Sequence, residues 1–161
     1  MANFELRPVD SNDVEEVATF MLQNWGSRRV VSRGRMYYPE KLPGFIATIE
    51  GKLVGLLTYE IRNTECEVVT INSVSEKLGI GSGLLEAVRK MAVSARCKRL
   101  WLITTNDNLQ ALRFYQKRGF RLATLYPNQI EKSRLLKPEI PLKGIDGIPL
   151  RDEIELEIPL P

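Results

Sequence analysis

Leu78-Gly79-Ile80-Gly81-Ser82-Gly83-Leu84-Leu85 is the stretch on which the fold turns. Before it, Glu65 to Val74 reads as a strand, with Glu67, Val69, Ile71 and Ser73 on one face and Cys66, Val68, Thr70, Asn72 and Val74 on the other. After it, Leu84, Leu85, Val88, Met91, Ala92 and Ala95 recur at helical spacing, opposite Glu86, Arg89, Lys90 and Arg96. A strand, a glycine turn and a helix start form an anion site, because unpaired N–H groups of the first helical turn and the helix dipole face the guest. Taken alone, the same glycines serve equally as a tight connection. A phosphate-binding P-loop is excluded, since Leu84-Leu85 stands where Lys-Ser/Thr is required, and a dinucleotide fingerprint is excluded because position 84 lacks glycine.

Further along, Asn108-Leu109-Gln110-Ala111-Leu112-Arg113-Phe114-Tyr115-Gln116-Lys117-Arg118-Gly119-Phe120 reads as a capped helix stopped by glycine. Together with the glycine turn, this N-x-x-A-x-x-x-Y-x-x-x-G-F pattern resembles the two central motifs of the GNAT superfamily of N-acetyltransferases. The resemblance covers residues 45 to 126 well, the first helix plausibly and the last third loosely. It implies an α/β fold whose mixed, mostly antiparallel central sheet has splayed middle strands and flanking helices. It also implies acetyl-CoA as co-substrate, its pyrophosphate on Leu78, Gly79, Ile80, Gly81, Ser82 and Gly83. The pantetheine arm would pair with backbone near Asn72, Ser73 and Val74 and meet Asn108 and Ala111, with Lys117 within reach of a phosphate. Tyr115 would protonate the departing thiolate, although beside Phe114 it also reads as core filling. One departure stands out: Glu76 occupies a position where the family commonly has Arg or Gln, and only four residues separate Val74 from Gly79.

The acceptor implied is a primary amine of a small molecule or a protein, the small molecule preferred, attacking the thioester directly in a ternary complex. Glu67 is the candidate base, with a solvated strand charge as its alternative reading. Arg33, Arg35 and Tyr37 lie in a basic stretch that can bind an acidic group on the substrate, or simply form a solvated loop. A second function class also fits, a sensor or interaction module that binds acyl-CoA without turnover.

Composition narrows the rest. The 161 residues fit one domain, 1–161, and Lys plus Arg exceed Asp plus Glu by 23 to 20, so no nucleic-acid partner is implied. With no histidine and only Cys66 and Cys97, imidazole-dependent nucleophile pairs and common zinc sites are excluded, and no metal is expected. The N-terminus has no long apolar run, so no membrane partner is expected and a cytoplasmic protein is. A homodimer is allowed.

The remaining elements follow from pattern. Phe4 to Arg7 reads as a strand ended by Pro8; Asp10 or Ser11 caps a helix that stops near Gly26; Ser27 to Tyr38 reads as a basic loop. Phe45–Ile49 and Leu53–Tyr59 read as a hairpin, Leu100–Ile103 and Phe120–Tyr126 as strands. Residues 127–152, rich in Pro and Gly, predict only a turn or two of helix near Ile130 to Leu136, forming a lid or an interface. Ile154, Leu156 and Ile158 alternate with Glu153, Glu155 and Glu157, which predicts a half-exposed strand closing the sheet.

Overall fold

The computed structural model describes residues 3–75 and 78–161. Glu76, the departure noted above, and Lys77 lie outside the described residues. The chain runs β1 (Glu5–Pro8), α1 (Val14–Trp25), β2 (Val30–Ser32), β3 (Arg35–Tyr37), β4 (Gly44–Ile49), β5 (Lys52–Arg62), β6 (Glu65–Ser73), α2 (Ile80–Ser94), β7 (Arg99–Thr105), α3 (Leu109–Lys117), β8 (Arg121–Tyr126), α4 (Gln129–Leu136) and β9 (Glu153–Pro159). Seven strands form one sheet in the order β1-β4-β5-β6-β7-β9-β8, with every neighbouring pair antiparallel except β6 and β7. This is the mixed, mostly antiparallel α/β sheet that the two motifs imply.

That parallel pair is short. β6 and β7 are in register only from Glu65↔Arg99 to Val68↔Leu102, although β6 continues to Ser73 and β7 to Thr105. Beyond this point β6 keeps its bonds to β5 and β7 its bonds to β9, so the middle of the sheet opens. A bulge accompanies the opening: Thr58 faces Thr70 and Tyr59 faces Val68, leaving Val69 as the extra residue on β6. Bulges bend the strand and interrupt its side-chain alternation. The expected faces of β6 are corrected accordingly. Ile71 packs with Cys66 and Val68 against the core under α2, whereas Val69 joins the core under α1.

Two apolar layers cover the sheet. Ile80, Leu84, Leu85, Val88 and Ala92 of α2 pack on one face with Ala47, Leu57, Leu100 and Leu156. Val17, Phe20 and Met21 of α1 pack on the other with Ile46, Leu53 and Leu56. α1 is entered through a capping box in which Asp10 and Asp13 exchange hydrogen bonds with each other's backbone. Arg7 grips Asp13 through two 2.8 Å bonds and holds its carboxyl down at about 2.

Two further expectations change, and the one for residues 127–152 holds, its turn or two of helix being α4. The basic stretch from Ser27 to Tyr38 is not simply a loop: β2 and β3 form a small hairpin turning at Arg33-Gly34, both with positive φ. Residues 127–152 hold α4 and are tied down throughout, with Arg134 donating to the carbonyls of Ile140, Pro141 and Leu150. β9 does not close the sheet. It inserts between β7 and β8, leaving β8 at the edge, and its glutamates are not solvated: Glu153 is 1% and Glu155 5% exposed.

Helix α2 is set on the sheet by contact with a glycine. A Cβ on Gly55 would lie 2.5 Å from Cγ2 of Ile80 and 3.3 Å from Cδ1 of Leu84. Because Ile80 is the first residue of α2 and has no exposed surface, overpacking here has no outlet. Gly55→Ala is therefore expected to cost about 1–3 kcal/mol of unfolding free energy in a urea titration. A change under 0.5 kcal/mol would show that α2 shifts without penalty.

Candidate functional site

Two clefts flank the place where β6 and β7 part. The first is an open cleft of about 570 Å³. Its walls are Ile71, Asn72 and Ser73 from the unpaired end of β6, and Gly79, Gly81 and Ser82 from the start of α2. Facing them are Asn108, Gln110, Ala111, Arg113, Phe114, Tyr115, Lys117 and Arg118 from α3 and its cap, together with Ile145.

The local chemistry is that of an anion site. Gly79 begins α2 with φ +76, a conformation that favours glycine, and no described side chain caps the helix. The N–H groups of the first turn therefore retain their capacity for a ligand, with the helix dipole behind them. Arg113, Lys117 and Arg118 line the same cleft, and no Asp or Glu is among its described lining residues. Arg118 stacks 3.7 Å above the Phe114 ring and donates to Ser82 Oγ at 2.7 Å, which orients that hydroxyl. Asn108 caps α3 by accepting from the Ala111 N–H at 3.1 Å, and its amide N–H groups have no partner among the described residues. Tyr115 is 8% exposed, wedged edge-on between Phe114 and Phe120. Burial pushes its hydroxyl well above the usual phenol range, so it keeps its proton.

The sequence-predicted residues distribute unevenly around this cleft. Asn72, Ser73, Gly79, Gly81, Ser82, Asn108, Ala111, Tyr115 and Lys117 line it. Ile80 instead points into the core, Leu78 packs against that core, and Val74 is exposed. Gly83 faces the Phe4 ring, which a Cβ would approach to 3.1 Å. Sequence reading did not include Ile145, which an N–H bond to Asp107 Oδ2 at 2.8 Å holds in place from the proline-rich segment. No local pattern marks that residue.

The second cleft, about 430 Å³, is lined by Ser32, Arg33, Arg35, Tyr37, Arg62, Glu67, Arg99, Trp101, Tyr126 and Glu155. It gathers Glu67, Arg33, Arg35 and Tyr37, four residues predicted from two separate stretches. Glu67 is buried on β6 just before the last paired residue; Ser32 Oγ donates to it at 2.9 Å and the Tyr37 hydroxyl at 3.0 Å. Burial raises its carboxyl against those two bonds. Arg33 lies 3.6 Å above the Tyr126 ring, and Arg35 bonds Glu60 at 2.9 Å.

Beside Glu67 is a second buried carboxyl. Glu153 accepts from the Arg33 N–H at 3.1 Å, and burial, reinforced by the charge of Glu67, lifts it to about 7. Adjacent residues of one hairpin thus hold both acids: Ser32 binds Glu67 and Arg33 binds Glu153. The alternation of Glu153, Glu155 and Glu157 was visible in sequence, but not which of its faces would be covered.

The fold built around the splayed strands agrees with the comparison to known families. The profile of the acetyltransferase (GNAT) family matches residues 12–120. The chain belongs to this family. The protein YdhI of Bacillus subtilis (strain 168), itself uncharacterized, is 40% identical over 149 residues, which is 91% of this chain and 93% of YdhI. Among solved GNAT structures, the IAA acetyltransferase from Bacillus cereus ATCC 14579 superposes with TM-score 0.74 at 20% identity, covering 98% of this chain and all of that one. A GNAT acetyltransferase from Elizabethkingia anophelis with acetyl-CoA bound gives TM-score 0.69 at 21% identity, covering 99% and 100%. The shared fold is thus the GNAT fold.

The buried acids leave a signature in stability. Glu153 has a folded value above the ordinary carboxylate range, so the native state holds the extra proton between about pH 4.5 and 7. Stability then falls as pH rises through that window, by an amount on the order of 3 kcal/mol at most. Glu153→Gln removes the buried charge and is expected to raise Tm clearly at pH 8 and little at pH 5. Equal shifts at both values would show that Glu153 is not titrating across the window.

Proposed function

We propose that this GNAT protein is an acetyl-CoA-dependent N-acetyltransferase that acetylates a primary amine of a small molecule. The supporting observation is the pair of clefts around the β6–β7 opening, one built for a polyanion and the other for an amine beside an acid. The residues of the first cleft fit CoA: uncapped N–H groups at Gly79 to Ser82, three cations and no carboxylate among its described lining residues. Acetyl-CoA supplies an activated thioester, so the chain needs no nucleophile of its own.

In this reading the free edge of Asn72 and Ser73 pairs with the pantetheine arm as an added strand would. Asn108 donates its amide to the same arm. The second cleft receives the amine, and Glu67 takes its proton, directly or through one water, as the new carbon–nitrogen bond forms. A raised carboxyl suits a base working near neutral pH. As the carbon–sulfur bond breaks, Tyr115 gives its hydroxyl proton to the sulfur. Ser32 and Tyr37 hold the Glu67 carboxylate in one orientation and are positioning residues.

Acetyl-CoA is expected to raise Tm in a concentration-dependent way, by RT ln(1 + [L]/Kd) in free energy. The absence of any shift at millimolar ligand would overturn CoA binding. Tyr115→Phe is expected to lower kcat roughly 100- to 10,000-fold with the acetyl-CoA shift preserved, in the range of a lost general acid. An unchanged kcat removes Tyr115 from the proton path. If acetyl-CoA binds and no amine in a broad panel releases CoA thiol, a non-catalytic acyl-CoA-binding role replaces the transferase reading.

A further inference from the structure

The second cleft carries more information than the place of an amine. Its charges are mostly spent on each other. Arg99 binds Glu65, Glu155 and Glu157 at 2.7 to 2.9 Å. Arg35 is bonded to Glu60, and Arg33 is stacked on Tyr126 within 3.7 Å of Glu155. Arg62 is different. Among the described residues its one ion pair is a loose 3.9 Å approach to Glu60, whose other carboxylate oxygen is buried without a hydrogen-bond partner; Arg62 makes no hydrogen bond there, and its side chain is 55% exposed.

Arg62 also occupies a junction. The cleft continues into a smaller pocket of about 210 Å³, and the two share Arg62, Glu67 and Trp101. Trp101 is in register with Glu67 across the β6–β7 pair, and its indole N–H has no partner among the described residues. It offers an apolar wall with one donor beside the two charges. Arg62 faces Glu65 across the β5–β6 pair, two residues from Glu67, which is roughly 7 Å along the strand.

An empty guanidinium fork at one end and a carboxylate at the other define what fits between them. A plain alkylamine would leave Arg62 unused. A molecule with an amine and an acidic group satisfies both ends, because guanidinium pairs bidentately with carboxylates and phosphonates alike. The geometry points to a zwitterionic acceptor, an amino acid or a similarly small amino acid-like compound, with its amine at Glu67 and its acidic group at Arg62. This rests on the acetyl-transfer reading and names the substrate class of the same site.

The test measures CoA thiol release from acetyl-CoA and thermal stabilisation in the presence of CoA. The acceptors are α- and ω-amino acids, each matched with its carboxamide, its decarboxylated amine and its aminophosphonate. The acids are expected to exceed their carboxamides and plain amines in kcat/KM by roughly 10- to 100-fold, the range for a charge-assisted hydrogen bond. The aminophosphonate arm shows whether the fork prefers the planar or the tetrahedral oxyanion. Arg62→Gln is expected to raise KM for the acid by a similar factor with kcat nearly unchanged, to erase the preference, and to leave stabilisation by acetyl-CoA intact. Equal or better turnover of plain or cationic amines overturns the inference while leaving acetyl transfer standing. An unchanged KM in Arg62→Gln overturns it, and so does the failure of every acid to react or stabilise when acetyl-CoA binds. If acetyl-CoA itself neither stabilises the protein nor loses its acetyl group, the fault lies with the underlying reading instead.

Discussion

The structure depends on the loss of hydrogen bonding between β6 and β7 past Val68 and Leu102. A parallel pair normally continues as long as both strands do, since unpaired backbone groups inside a protein are costly. Here both strands run on and separate, so β6 presents Asn72 and Ser73 to the cleft with a free edge. That edge is meaningful only if a ligand completes it. The bulge at Val69 prepares the separation, because it bends β6 and sends Val69 toward α1 and Ile71 toward α2.

Everything placed around the opening is positioned by elements that do not themselves do chemistry. Gly55 lets Ile80 sit against the sheet, and this sets where α2 begins and where its N–H groups point. The Arg33-Gly34 hairpin lays Ser32 and Tyr37 onto Glu67 and the Arg33 backbone onto Glu153. The proline-rich segment reaches back to the first cleft through Ile145, held by Asp107, which in turn accepts from the Thr105 hydroxyl at the end of β7. A segment without long regular elements is thus as well anchored as the strands it joins.

The electrostatic contrast between the two clefts divides the labour. The glycine cleft has cations and backbone donors with no carboxylate among its described lining residues. The opposite cleft balances acids against arginines so closely that nearly every charge has a partner. In such a network the unsatisfied member is the informative one, because paired charges cost the protein little further desolvation while a loosely held guanidinium remains ready for an incoming acid. Arg62 is the cation of that kind, beside the unpaired Oε2 of Glu60, and Glu67, with both oxygens oriented by hydroxyls, is its counterpart.

The sequence alone determined the glycine turn, the α3 motif with Tyr115, the order of the main elements and the family, because these rest on local spacing and on φ values that favour glycine. It also marked Glu67, Arg33, Arg35 and Tyr37 as chemically suggestive. Only the tertiary structure brought those four together, since their meeting depends on a hairpin folding over a strand 30 residues away in sequence. It alone decided that β9 lies inside the sheet, which turned a glutamate stripe that reads as solvated into a buried one. Side-chain alternation states that a strand has two faces; which face is covered is fixed by neighbours that the strand's own sequence does not contain.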